Sequence, residues 1–278
     1  MHADLAEPLL GESPSIHSLR AAATSALRDR QPVLIQGEPG SRKGALARWL
    51  HQHGLSPGQP FLEVAGDRQQ SRELEARIFG DLDPASSRPK GALPRLTSGT
   101  LFLNRADALP LSLQARLAGL LHSQALHPGG GPGSPGPSLR VIAATHLDLE
   151  DLVRKRLFRW DLYAQLRAHL LVVPPLRSRL EDVPALAARH LASRGRPEGT
   201  AALAPGALQG LRERSWPGNL EELEGCLDRA LARAGGGPDQ PVHLDLAPPA
   251  QILDREAARR EALRREIQAW LQGAPSTA

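Results

Sequence analysis

Cysteine is almost missing: Cys226 is the only one in 278 residues, which excludes an intramolecular disulfide and a multi-cysteine zinc site. Aromatic residues are scarce at 3%, so a core has to be built from Leu, Ala and Val. Lysine occurs only at 43, 90 and 155; with abundant Ala, Gly and Pro, this points to a GC-rich coding bias rather than to selection for guanidinium chemistry. No apolar run approaches the ~18 residues that a membrane-crossing helix needs, and the N-terminus lacks a basic segment followed by an apolar one. A cytoplasmic location without membrane contact is therefore expected. The ten histidines are scattered, and neither His51 with His53 nor His122 with His127 makes a metal signature, so no metal ligand is assigned. A net charge of +4 permits an acidic partner without demanding nucleic acid.

What is present begins with a buried-strand pattern at Pro32-Val33-Leu34-Ile35, a glycine-rich turn over 37–44, and a helical run from Ala45. Strand, turn and helix in that order make a phosphate cradle. Glycines let backbone N–H groups close on phosphate, a lysine reaches the outer phosphates, and a Ser or Thr hydroxyl usually serves magnesium. Gly37, Gly40 and Lys43 meet the first two demands, with Glu38 and Ser41 completing the loop. Arg42 stands where a glycine is usual, and Gly44 after the lysine has no side chain to offer a metal.

The rest of the chain alternates strands and helices. A helix is expected over about 15–29, strands at 60–65, 100–103 and 139–144, and helices over 71–79 and about 111–121. Loops are expected over 81–97 and in the Pro/Gly/Ser-only stretch 128–138. This predicts an α/β fold with a parallel sheet wrapped by helices over 1–174. After Pro174-Pro175, helices at 183–191, 205–214 and 220–234 predict a smaller all-helical domain over 175–247. A linker and a charged helix at about 252–271, with Leu253, Leu263, Ile267, Trp270 and Leu271 mostly on one face, fill 248–278. No internal repeat is evident.

In their order these motifs resemble the AAA+ domain of the sigma-54-dependent transcription activators, the bacterial enhancer-binding proteins. The matching segments are Leu9-Leu10-Gly11-Glu12-Ser13-Pro14, the loop 37–44, Pro60-Phe61-Leu62, Ile78-Phe79-Gly80, Gly99-Thr100-Leu101-Phe102-Leu103 and Arg140-Val141-Ile142-Ala143-Ala144-Thr145. Phe158-Arg159-Trp160-Asp161-Leu162-Tyr163, Val173-Pro174-Pro175-Leu176-Arg177 and Trp216-Pro217-Gly218-Asn219-Leu220 complete the series, which runs over about 9–247.

The resemblance implies a P-loop fold with a helical lid, ATP or ADP at Gly37, Glu38, Gly40, Ser41, Arg42, Lys43 and Gly44, and a polar sensor at His146. It also marks departures. Family members carry an aspartate for the magnesium shell and a glutamate to activate water where this chain has Asn104 and Arg105. An amide is a poorer partner for a hard cation, and an arginine accepts no proton at neutral pH; loss of a general base alone removes about 10²–10⁴-fold in rate. The family's lid arginine corresponds to Glu221, and the second arginine of its finger segment to Gln165. The first survives as Arg159, available to a neighbouring subunit or simply to a surface salt bridge.

The Gly-Ala-Phe-Thr-Gly-Ala motif that contacts sigma-54 is missing between Gly80 and Gly99, so sigma-54 contact is not expected from this segment. A C-terminal helix-turn-helix for DNA is not seen either. The expectation is a degenerate AAA+ module that acts on protein partners, among them related AAA+ subunits in a ring, with little or no ATP hydrolysis and no firm magnesium site. A slow ATPase, a nucleotide-gated module, a nucleotide-free scaffold and a decaying gene product stay open as alternatives.

Overall fold

The computed structural model describes residues 7–55, 57–66, 71–80, 91, 98–126, 138–196, 198–199, 203, 206–233 and 242–244. Five strands, β1 (Val33–Gln36), β2 (Phe61–Ala65), β3 (Ser98–Asn104), β4 (Ser138–Thr145) and β5 (His169–Val172), form one sheet in the order β2-β3-β4-β1-β5. Every pairing is parallel. The central strands read as unbroken apolar runs because helices cover both of their faces.

One face buries Leu34, Leu101, Leu103, Val141 and Ala143 under helices α3 (Ser71–Phe79), α4 (Leu111–Leu126), α5 (Leu149–Arg154) and α6 (Trp160–Leu166). The opposite face buries Val33, Ile35, Phe102, Ile142 and Ala144 under α1 (Pro14–Ala26) and α2 (Lys43–Gln52). Arg140 lies within this second layer, only 6% exposed. Its guanidinium donates to the carbonyl oxygens of Leu50, at 3.2 Å, and of Ala26, satisfying the carboxyl ends of both helices that cover the face. Burial holds its pKa below the usual arginine value.

A separate apolar cluster is built by α7 (Val183–Ser193), α8 (Ala207–Glu213) and α9 (Asn219–Arg233) around the fully buried Trp216, whose Nε1 donates to the Leu211 carbonyl at 2.8 Å. This is the helical lid. It is joined to the start of the chain by Asp182, whose carboxylate accepts from the Glu12 and Ser13 amides at 2.7 and 3.0 Å and from Ser13 Oγ at 2.6 Å. Those bonds cap α1 from a residue far away in sequence, while Ser13 itself makes no side-chain cap. The neighbouring Arg179 is buried, donates to the Pro8 carbonyl at 3.1 Å, and has its pKa lowered by burial to about 10.

The expected helix over 71–79 and the three lid helices are present, with lid boundaries moved by at most a few residues. The first helix stops at Ala26, earlier than expected, and α4 runs on to Leu126. Two short helices and the edge strand β5, between 149 and 172, had not been anticipated. The expected helix at 252–271, the stretch 128–137 and all of 81–97 except 91 lie outside the described residues.

Candidate nucleotide site

The parallel pairing fixes which residues meet at the carboxyl edge of the sheet. Gln36 is in register with Thr145, and Asn104 with Ala144, so Gly37, Arg105 and His146 each follow directly from the end of a paired strand. The Gly37 amide donates to the Thr145 carbonyl at 3.2 Å, so the glycine-rich loop leaves from an interior strand, between β4 and β5. This is where open α/β sheets bind ligands.

The loop turns at Gly40, with φ +74°, and again at Arg42, with φ 61°. Gly40 also needs to be glycine for space, because a Cβ there would lie 2.0 Å from the Gly218 carbonyl oxygen. Arg42, by contrast, holds a left-handed backbone that side chains adopt reluctantly. Ser41 is buried and its Oγ donates to the Glu38 carbonyl at 2.7 Å. Lys43 Nζ donates to the carbonyls of Gly37 and Glu38, both at 2.8 Å, so its ammonium sits inside the curl of the loop. A Cβ on Gly44 would approach Phe102 only to 3.8 Å, so a side chain would fit there and no steric demand accounts for the glycine.

The lid closes over this loop. Asn219, 1% exposed and at φ 55°, accepts from the Leu176 amide at 2.8 Å and donates to the Pro39 carbonyl at 3.0 Å and to Glu38 Oε2 at 3.2 Å. Glu38 also receives both guanidinium nitrogens of Arg177 at 2.7 Å, which raises the arginine pKa. The Glu221 amide donates to the Gly40 carbonyl at 3.1 Å, which places the start of α9 and the Glu221 side chain against the loop. Arg42 reaches the lid too: Nε donates to Glu224 Oε1 at 3.2 Å and a terminal nitrogen pairs with Oε2. A small cleft lined by Leu10, Leu186, His190, Leu220 and Leu223 borders Glu224.

At the end of β3, Asn104 donates to Glu63 Oε1 at 3.2 Å, and Glu63 Oε2 is held by Arg48 at 2.6 Å. Arg105 is exposed at φ 55°. Asp107 is buried and lies 2.9 Å from Thr145 Oγ1, with His146 Nδ1 at 3.6 Å from the same carboxylate oxygen. Among the described residues, the end of β3 and the position after Lys43 thus offer an amide, a guanidinium and a glycine, and the carboxylates of Glu63 and Asp107 close by already hold other partners. This donor set does not fit a magnesium ion, which wants carboxylate or hydroxyl oxygens. The loop itself, with its glycine curl and enclosed ammonium, fits a phosphate chain.

Arg159 is not brought to the loop. Its amide donates to Gln114 Oε1 at 2.8 Å on α4, and its guanidinium pairs with Asp161 through bonds of 3.0 and 2.7 Å, raising the arginine pKa and lowering that of the aspartate. Gln165 donates to the Ala118 carbonyl at 3.4 Å, and its buried Oε1 has no donor among the described residues. Arg177, Asn219 and Glu224 had been given no role from sequence. Arg177 and Asn219 lie in segments that carry the resemblance, and the run of acidic residues at 221, 222 and 224 is the visible signal for Glu224.

A parallel sheet with a glycine loop at its carboxyl edge and a helical lid over that loop defines the AAA+ class of P-loop proteins. Residues 9–171 match the family model described as the Sigma-54 interaction domain, and residues 177–262 match that of an AAA+ ATPase lid domain. The chain belongs to the sigma-54 interaction domain family. It is 36% identical over 245 residues to the response regulator protein PilR of Pseudomonas aeruginosa, covering 86% of this chain and 55% of that protein. Among solved structures it resembles NtrX from Brucella abortus in complex with ADP, at a TM-score of 0.71 and 28% identity over 87% of this chain and 55% of that one. NtrX in complex with ATP gives a TM-score of 0.71 and 26% identity, covering 88% and 55%.

The chain therefore spans about half the length of the relatives it matches. The expectation against sigma-54 contact finds no support in a family named for that interaction, and the segment it rested on lies outside the described residues apart from 91. Among the described residues no helix is long and apolar enough to cross a membrane.

Proposed function

We propose that this chain is a hydrolysis-deficient AAA+ module of the sigma-54 activator lineage, which holds a nucleotide without cleaving it and acts in transcription regulation through contacts with other proteins. The observation that carries this reading is the pair Asn104 and Arg105 at the end of β3. Neither of these two side chains accepts a proton from water or offers a carboxylate to a divalent ion, and the nearby carboxylates of Glu63 and Asp107 already hold other partners. Binding is supported by the preserved loop and by the ADP- and ATP-bound NtrX structures. In this reading Gly37, Glu38, Gly40, Ser41, Arg42, Lys43 and Gly44 line the phosphates and His146 faces them from the next strand. The α/β unit takes 1–174, the lid 175–247, and a linker and helix 248–278.

The partner is a protein. Sigma-54 is the first to test, given the family match, and related AAA+ subunits are the second. The exposure of Arg159 is what supports the second; its guanidinium is paired with Asp161 in the surface salt bridge that is the plainer alternative, and a neighbouring subunit taking it as a finger would have to displace that pair. Such a finger contributes about 10³–10⁵ in rate in phosphate-cleaving proteins.

Phosphate release from ATP with magnesium tests the central claim. The unaltered chain is expected to stay at the buffer rate, while the combined substitution Asn104→Asp, Arg105→Glu and Glu221→Arg raises turnover. Brisk, magnesium-dependent hydrolysis by the unaltered chain would falsify the reading. A titration of ADP and ATP followed by melting temperature reports binding separately.

A further inference from the structure

The loop and the lid are joined by charges that belong to the protein. Glu38 of the loop is gripped by Arg177 at the entry to the lid, and Arg42 of the loop is gripped by Glu224 on α9. Between the two pairs, the Glu221 amide donates to the Gly40 carbonyl and Asn219 donates to the Pro39 carbonyl. Glu224 is 8% exposed, so its carboxylate has left most of its water and depends on the guanidinium opposite. Arg42 keeps a left-handed backbone in this position, where a residue without a side chain would be unstrained. A costly conformation is retained where it delivers a cation to the lid.

We infer that Arg42 and Glu224 form a latch that holds the lid on the phosphate loop without nucleotide. Glu224 supplies the loop cation with an anion from within the chain, so closure of the lid does not wait for a phosphate. The same pairing lowers the positive potential a phosphate chain would meet, so opening the latch and binding a polyphosphate favour one another. This goes beyond the absence of hydrolysis, since the latch would operate equally in a chain that cleaves ATP.

The amide of Glu221 reports directly on the joint, because its hydrogen bond crosses from lid to loop. Hydrogen exchange at this amide, in the nucleotide-free chain, is expected to be slow in the unaltered protein and about five-fold faster in Arg42→Gln and in Glu224→Gln. The double variant should exchange no faster than either single one, and the swapped pair Arg42→Glu with Glu224→Arg should restore part of the protection. Raising the salt concentration should speed exchange more in the unaltered chain than in the single variants, which keep only the Glu38–Arg177 pair across the joint. Unaltered rates in both single variants, or additive effects in the double one, overturn the latch. Loss of protection throughout α7, α8 and α9 would show a folding defect in a variant; a salt series on Arg177→Gln, which removes the other ion pair across the joint, then decides, and exchange insensitive to salt in that chain also overturns the proposal. Phosphate release from the same samples tests the hydrolysis reading independently.

Discussion

Two places on the same sheet edge, at the ends of β1 and β3 with β4 between them, are treated very differently. Around Gly40 the loop is bonded to the lid through Glu38, Pro39, Gly40 and Arg42, with partners at 177, 219, 221 and 224. At the end of β3, the Asn104 side chain has one bond, to the Glu63 carboxylate, and Arg105 stands exposed. The first region contains shape-determining groups: glycine, asparagine and paired charges. The second is where proton transfer and metal binding would require carboxylates. A fold tolerates changes at Asn104 and Arg105 better than in the joint, because each of those two side chains has few bonds, whereas the joint is fixed by several bonds at once, among them those of the buried Asn219 and Glu224. Architecture and chemistry are thus separable on this edge.

That contrast can be broken most directly at the joint. Gly40→Val places side-chain atoms against the Gly218 carbonyl at a backbone angle that disfavours them, and should cost about 2–4 kcal/mol in denaturant melts. A variant that melts like the unaltered chain would mean that the lid does not rest on the loop. Asn219→Ala removes the acceptor for the Leu176 amide and the donor to Pro39, and a loss of about 1–3 kcal/mol is expected by the same measurement.

The amino edge of the sheet, remote from both regions, supplies the smallest effect and a reference. His51 is buried there against Thr100, and burial lowers its pKa below the ordinary 6.5. The unfolded chain then takes up a proton at higher pH than the folded one does. Stability is complete above pH 6.5 and declines as the pH falls from there toward the lowered folded value. His51→Gln should flatten this decline without changing nucleotide binding. A melt series from pH 7.5 to 5 checks the sign, and a slope unchanged in the variant assigns the decline to another group.

Much of the fold was legible because it is periodic. The apolar runs of β1, β3 and β4 and the helical spacing of α3 and α9 announce themselves in sequence. The stretch from 149 to 172 did not, because α5 and α6 are only 6 and 7 residues long and β5 only 4, too short for a period to emerge. At the site, the loop was readable from its own spacing and the departures at 104, 105 and 221 from the resemblance. The joint was not, because its partners lie some 180 positions apart and each is an ordinary charged or amide residue when read alone. Asp182, which caps α1 from across the molecule, escaped for the same reason.

The contact of Gly40 with Gly218 puts main chain against main chain with no side chain between them. Flexible side chains would act as padding and let the two bodies creep past each other by degrees. Bare backbone gives no such slack: a small tilt one way collides, and the other way opens a gap that water enters. The joint should therefore behave as a detent, clicking between seated and released rather than sliding.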